Sequence, residues 1–406
     1  MLKIFHITPH LGGGVGAVLL NWLSYDKGNS HTIASLDTAN QKSLEVCRKN
    51  NIEIFSKMPH TLILSKIQEA DITVIHFWNH PLLYDFLIRE ELPPARVIFW
   101  AHIKGETPPY VFNDKLFEYA DEFIFTTPLS GKYVPKGKRY QTITSTSGIE
   151  KFCTIKKQPH DNYVAGYVGT VDYAKMHPEF VSVLSKTNAD NIIVTGGDKE
   201  KEIAKGADSR FVFTGKVVNP EEIYSQLDVF TYLLNPNHYG TAEQVIQEAL
   251  ACGLPIVVLN NECEKSLVVH NQTGLIANDL NEFVEYVNKL KTDLPLRERL
   301  SGNARKYAME NFSLKHLAEE WNGVFEKIIQ KAKTPKHWEK DKPQYDSFDV
   351  FLESLGSCAN IFLNKSDEEL SEILKQTNWS SENKGTPKQY FSYLKGERLA
   401  KLLTLY

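Results

Sequence analysis

Short runs of apolar residues alternate along the chain with stretches whose apolar positions recur at helical spacing. Runs at 3–8, 31–36, 72–77, 96–101 and 122–126 have the length and composition of buried strands. A second series follows at 163–168, 191–195, 210–213, 228–233 and 255–259. Between them, 15–24, 178–186, 243–252 and 281–291 read as amphipathic helices. Buried strands separated by helices predict parallel sheets with helical cover, an α/β class. The series appears twice, which predicts two doubly wound Rossmann-like domains, 1–150 and 160–330, with a polar break near 147–162. The last helix, 314–330, is expected to pack back on the first lobe. Residues 332–348, rich in Lys, Pro and Asp, read as a linker, and 349–406 as a C-terminal extension of unassigned role. In that extension Ser366 and Glu369 form a capping box ahead of Leu370, Ile373 and Leu374.

Composition narrows the partners. The net charge of −4 over 406 residues removes any global attraction for nucleic acid. Five cysteines (Cys47, Cys153, Cys252, Cys263, Cys358) are odd in number and widely spaced, with no metal-ligand spacing or disulfide framework. No run of about 18 apolar residues predicts a membrane span. The opening Lys3–Thr8 is too short and polar for a signal peptide. The expectation is a cytoplasmic protein with no metal and no cofactor. The basic cluster Lys132, Lys136, Lys138 and Arg139 reads either as a solvated face or as a peripheral contact with anionic lipid on the inner face of the membrane.

Two segments carry candidate chemistry. After the first strand comes Pro9-His10-Leu11-Gly12-Gly13-Gly14-Val15-Gly16-Ala17. A glycine loop opening a helix offers backbone N–H groups and the positive end of a helix dipole to phosphate. Gly12, Gly14 and Ala17 satisfy G-x-G-x-x-A, and Asp37 follows as in a dinucleotide fingerprint. Three residues separate the strand from the first glycine, however, where a dinucleotide turn leaves the strand directly. A phosphate-facing or acceptor-facing loop and a bare strand–helix turn are the other readings. The second segment is a loop, His238-Tyr239-Gly240-Thr241-Ala242, leading into a helix from about Glu243 and a stop at Gly253, then Pro255 and a buried strand. Glu248, mid-helix, is a carboxylate able to accept two hydroxyls, as on a ribose.

This second segment resembles the donor-site signature of the GT4 class of GT-B glycosyltransferases (glycosyl transferases group 1), E-x7-E followed by A-x-A-x-G-x-P-V-V. Other pieces agree in order. Gly166-Tyr167-Val168-Gly169-Thr170 through Lys175 resembles the family's G-R…K-G segment. Thr195-Gly196-Gly197-Asp198, Phe213-Thr214-Gly215-Lys216-Val217, Ser147-Gly148-Ile149-Glu150 and Asn271-Gln272-Thr273-Gly274-Leu275 resemble further family turns and strand ends. Together these cover roughly residues 1–330.

The resemblance implies a GT-B fold, two Rossmann-like domains facing a cleft. It also implies a transferase moving a sugar from a nucleotide-sugar donor to a hydroxyl of a saccharide or lipid-linked acceptor. Retention of anomeric configuration, metal independence and a place in cell-surface polysaccharide or glycoconjugate synthesis are further implications. Glu248 would bind ribose hydroxyls, Lys175 would neutralise the diphosphate, and Val217 would lie under the base. The backbone at Gly240, Thr241, Ala242, Glu243, Gln244 and Val245 would face phosphate or sugar. In the first lobe, Gly14 and Gly16 would face the donor and His102 would approach its sugar. Two positions depart from the family: its first glutamate falls at Gly240 and its arginine at Thr170. Glu243, five residues before Glu248, is not expected simply to inherit the missing glutamate's role. Lys216 and Lys104 are candidates to replace the missing cation. A sugar-nucleotide epimerase and a non-catalytic GT-B binding subunit are the alternative functions. His76 and His80 as metal ligands, and Trp78 and Trp100 as a sugar platform, compete with plain packing.

Overall fold

The computed structural model describes every residue except 147, 174, 198, 237, 239, 340–343, 377, 380, 383 and 384. The chain forms two compact units, Met1–Thr144 with Ala318–Tyr406, and Ser145–Leu317.

The first unit holds β1 (Lys3–Thr8), β2 (Ser30–Ser35), β3 (Glu53–Ser56), β4 (Ile72–Phe77), β5 (Leu92–Ala95), β6 (Val97–Ala101), β7 (Glu122–Phe125) and β8 (Gln141–Thr142). Seven of them make a parallel sheet in the order β3-β2-β1-β4-β6-β7-β8. The second unit holds β9 (Val164–Val168), β10 (Asn191–Thr195), β11 (Phe211–Gly215), β12 (Val229–Tyr232), β13 (Ile256–Leu259) and β14 (Gly274–Ala277). Its parallel sheet runs β11-β10-β9-β12-β13-β14. β4, β9 and β13 are buried at every residue, which is why their sequences are continuous apolar runs and not alternating ones. In each sheet the strand order reverses beside the first strand, at β1/β4 and at β9/β12. Loops at the carboxyl ends of such strands are where open α/β sheets place ligands.

The C-terminal segment is built into the first unit. β15 (Thr334–Lys336) pairs antiparallel with β5, and Lys336 Nζ lies 2.8 Å from Asp121 Oδ1. The stretch read as a linker therefore carries a strand, and Asp346 caps the helix Ser347–Leu355. Trp338, Phe351, Leu355, Leu374, Trp379 and Tyr390 are buried in one cluster with Phe77, Phe86, Leu87 and Phe99 of the first sheet and its helices. Polar contacts fix the docking: Asn79 donates to Ser354 Oγ at 3.2 Å and accepts from Tyr390 Oη–H at 2.8 Å. From Ala318 on, the helix Leu314–Ile328 also belongs to this unit. Its Trp321 stacks on Trp22 at 4.7 Å between ring centroids and meets Trp100 at 5.0 Å. The Ser366/Glu369 capping box is present ahead of the helix Asp367–Leu374. No helix among the described residues is long and apolar enough to cross a membrane, and none of the five cysteines forms a disulfide.

Candidate active site

In the second unit Lys175 and Glu243 meet at the carboxyl end of β12, beside the β9/β12 switch point. The chain leaves β9 through Gly169 and Thr170 and returns along the end of β12. Met176 bridges Leu234, His177 N–H donates to Leu233 O (3.1 Å), and Asn235 N–H donates to Lys175 O (2.8 Å). Lys175 is thereby pinned beside the loop that leads into the helix Gln244–Ala251.

Lys175 Nζ lies 2.9 Å from Glu243 Oε2, and the same oxygen accepts from Tyr232 Oη–H at 2.5 Å. Both partners are largely out of solvent, the Lys175 side chain at 14% exposure and that of Glu243 at 2%. Burial alone would raise the Glu243 carboxyl; the Lys175 ammonium and the Tyr232 hydroxyl outweigh it and hold the group below its ordinary range. Glu243 precedes the helix in the left-handed region, φ 30°, a conformation that costs a non-glycine residue of order 1–3 kcal/mol. A Cβ placed on Gly240 would stand 1.5 Å from Glu243 Oε1. The Glu243 carboxylate thus fills the space beside Gly240 that a side chain there would enter.

His238 supports the loop. Its Nδ1 accepts from Gly240 N–H (3.0 Å), which leaves Nε2–H to donate to Glu264 Oε1 (2.7 Å). His238, Glu243 and Glu264 form a group whose ligand atoms could surround a metal ion. Glu243 Oε2 is engaged there by Lys175 and Tyr232 and Glu264 Oε1 by His238, while Glu264 Oε2 has no hydrogen-bond partner among the described residues. Tyr232, His238 and Glu264 were not singled out in the sequence.

The helix Gln244–Ala251 opens on this loop, and the N–H groups of a first turn lack intrahelical acceptors, which suits an anion. Gln247 donates to Ala242 O (2.8 Å) and Ser145 O (3.0 Å), fixing the entry. Glu248 lies in the next turn, half-buried, and accepts from Tyr224 Oη–H at 2.9 Å. Burial pushes its carboxyl up to about 7, against the lowering effect of that hydrogen bond. Val217, just past β11, is half-buried against the core of the unit. Thr170 is half-buried, and its carbonyl accepts from Tyr167 Oη–H at 2.7 Å. The side chain of Lys216 lies along Gly197, where a Cβ would meet its Cγ at 2.7 Å. Ser147, Asp198 and Tyr239, quoted among the motifs, lie outside the described residues.

Residues 149–307 match the family described as Glycosyl transferases group 1. That match lies within the second unit and covers less than half of the chain. The chain is 26% identical over 186 residues to the capsular polysaccharide biosynthesis glycosyltransferase CapM of Staphylococcus aureus, a match covering 43% of this chain and 48% of CapM. It spans about half the length of that relative, and less of the next two curated relatives. Among solved structures it resembles a glycosyltransferase from Rickettsia africae (TM-score 0.66, 15% identity, 81% of this chain and 99% of that one). It also resembles Anabaena HepE in complex with UDP-glucose (TM-score 0.65, 15% identity, 80% of this chain and 100% of that one). The fold is GT-B, built from two Rossmann-like α/β units.

The other predicted residues lie in the first unit. Gly14 and Gly16 sit in the first turn of the helix Gly13–Tyr25. Gly16 is required by packing, since a Cβ there would approach the Leu11 carbonyl to 2.7 Å. Asp37, the acid of the dinucleotide fingerprint, accepts from Tyr393 Oη–H of the C-terminal segment at 2.7 Å. Lys104 is held by Glu106. His102 is half-buried at the end of β6, its Nε2 3.2 Å from His76 Nδ1. Burial and the neighbouring His76 hold its imidazole well below the ordinary histidine range, so the ring is neutral. Trp100 and His76 are fully buried in packing.

Proposed function

We propose that this chain is a glycosyltransferase that binds a nucleotide-sugar donor on its second lobe and transfers the sugar to an acceptor hydroxyl. The observation that carries the reading is the Lys175–Glu243 pair beside the opening of the helix that bears Glu248, inside the domain that matches the family. In this reading Glu248 accepts the ribose hydroxyls and Val217 supports the base. The first turn of the helix and Lys175 stabilise the diphosphate as negative charge moves onto it. Glu243 holds the Lys175 ammonium in place and presents a carboxylate toward the sugar. The chemistry needs no metal, because the ammonium and the helix end do the neutralising, and it retains anomeric configuration.

The acceptor is a saccharide or lipid-linked saccharide, and the product belongs to polysaccharide or glycoconjugate synthesis, as the name of CapM states for that relative. The exposed basic segment Lys132, Lys136, Lys138 and Arg139, with Tyr140 beside it, suits peripheral contact with an anionic membrane.

The test is release of labelled sugar from UDP- and GDP-sugars, with and without acceptor, in EDTA. Transfer that depends on acceptor and survives chelation supports the proposal. Conversion of the sugar without acceptor would indicate an epimerase. Donor binding without any turnover would indicate a binding subunit.

A further inference from the structure

Four histidines of the first unit form an unbroken hydrogen-bonded file across its sheet. Asp26 Oδ2 meets His31 Nε2 at 3.1 Å, His31 Nδ1 meets His6 Nε2 at 3.0 Å, His6 Nδ1 meets His76 Nε2 at 3.1 Å, and His76 Nδ1 meets His102 Nε2 at 3.2 Å. The register explains the file. His31 on β2 pairs with Ile4, His6 on β1 pairs with Val74, and His76 on β4 pairs with Trp100. Each step across one strand therefore advances two residues, which keeps all four rings on the same face while moving toward the carboxyl ends.

The file has a direction. Asp26 also accepts from Gly28 N–H (2.8 Å) and Asn29 Nδ2–H (2.9 Å), and an ionised carboxylate only accepts. His31 must then carry its proton on Nε2, leaving Nδ1 to accept from His6 Nε2–H. The same logic passes through His6 and His76. It ends with His102 donating Nε2–H to His76 and keeping Nδ1 bare. Nδ1 of His102 has no hydrogen-bond partner among the described residues.

We propose that Asp26 sets the tautomer of His102 through three intervening imidazoles, so that His102 offers a hydrogen-bond acceptor to a substrate hydroxyl and no N–H to an anion. Asp26, His31, His6 and His76 are positioning residues for that atom. The hydroxyl assignment rests on the reading of His102 as a substrate-facing group; the tautomers do not.

Ring-nitrogen NMR of the ¹⁵N-histidine-labelled full chain, without donor or acceptor, tests the file. The expected spectrum shows His31, His6, His76 and His102 all protonated on Nε2. Asp26→Leu, which removes the anchoring acceptor, should move the His102 nitrogens toward mixed tautomers. The same substitution in a His6→Phe background should leave them still. Wild-type His102 protonated on Nδ1 would overturn the proposal whatever the variants do, as would an unmoved His102 in folded Asp26→Leu. Inorganic phosphate serves as the anion probe: unchanged His102 nitrogens support the hydroxyl assignment, and a shift to Nδ1–H overturns it. None of these outcomes bears on nucleotide binding by the second lobe, so the two readings fail separately.

Discussion

Glu243 stands where a side chain on residue 240 would stand, its Oε1 1.5 Å from the position of a Cβ on Gly240. A side chain at 240 would require the Glu243 carboxylate to move, and Glu243 itself holds a left-handed backbone. Gly240→Glu, which restores the family residue, should lower stability by about 1–3 kcal/mol through overpacking. It also adds a second buried carboxylate. Gly240→Glu with Glu243→Gly should recover most of that loss, because the glycine also relieves the left-handed residue. Urea unfolding of the two variants checks this; a Gly240→Glu protein as stable as wild type would remove the steric account.

The Glu243–Lys175 pair is largely buried, and removing one member leaves the other charge without compensation. Glu243→Ala should cost about 3–5 kcal/mol, and Glu243→Ala with Lys175→Ala should cost less than the single change. A double-mutant cycle by chemical denaturation gives the coupling directly.

If Lys175 stabilises the leaving diphosphate as proposed, Lys175→Ala should reduce kcat by more than it raises KM, because that charge develops most in the transition state. Thr170→Arg, restoring the family's cation, should partly rescue it. Steady-state kinetics on the two single variants and the double variant decide; an unchanged kcat in Lys175→Ala would move the phosphate grip elsewhere.

Glu248, pushed up to about 7 by burial, is half-protonated near neutrality. If its ionised form accepts the donor hydroxyls as proposed, donor affinity should rise with pH and be about tenfold weaker at pH 6 than at pH 8. Stability runs the other way. The folded state keeps this proton to about pH 7, whereas the unfolded carboxyl loses it near its ordinary value of 4.5, so the group's contribution falls as pH rises between the two. Titration calorimetry in buffers of different ionisation enthalpy should show proton release on donor binding at pH 6, absent in Glu248→Gln.

A chain ending at residue 332 should be insoluble, because Trp338, Phe351, Leu374, Trp379 and Tyr390 complete the core of the first unit. Soluble, cooperatively folding protein from that truncation would contradict this packing.

The buried strands were legible because both faces are covered: β1, β4, β6, β9, β10, β12 and β13 all fall within the apolar runs. The strands that escaped are short or lie at the margins, such as β3 with no buried residue and two-residue β8. The tail was read as linker and extension because its apolar residues are scattered among short helices, and only their common docking makes a core. Motif order singled out Lys175 and the helix of Glu248, and the structure places Lys175 beside the loop that opens that helix. The approach of Glu243 to Gly240 was not legible, because it depends on a backbone conformation rare outside glycine. The histidine file was invisible for a related reason: His6, His31, His76 and His102 are far apart in sequence, and only the strand register aligns them.

In the proposed function the second lobe grips a nucleotide sugar through Glu248. Titration calorimetry of UDP- and GDP-sugars into wild type and Glu248→Ala tests it most directly. The account predicts saturable binding of one donor class and a loss of about 1.5–3 kcal/mol, roughly 10- to 150-fold in Kd, in the variant. An unchanged Kd in folded Glu248→Ala, or no binding of any nucleotide sugar to wild type, would contradict it.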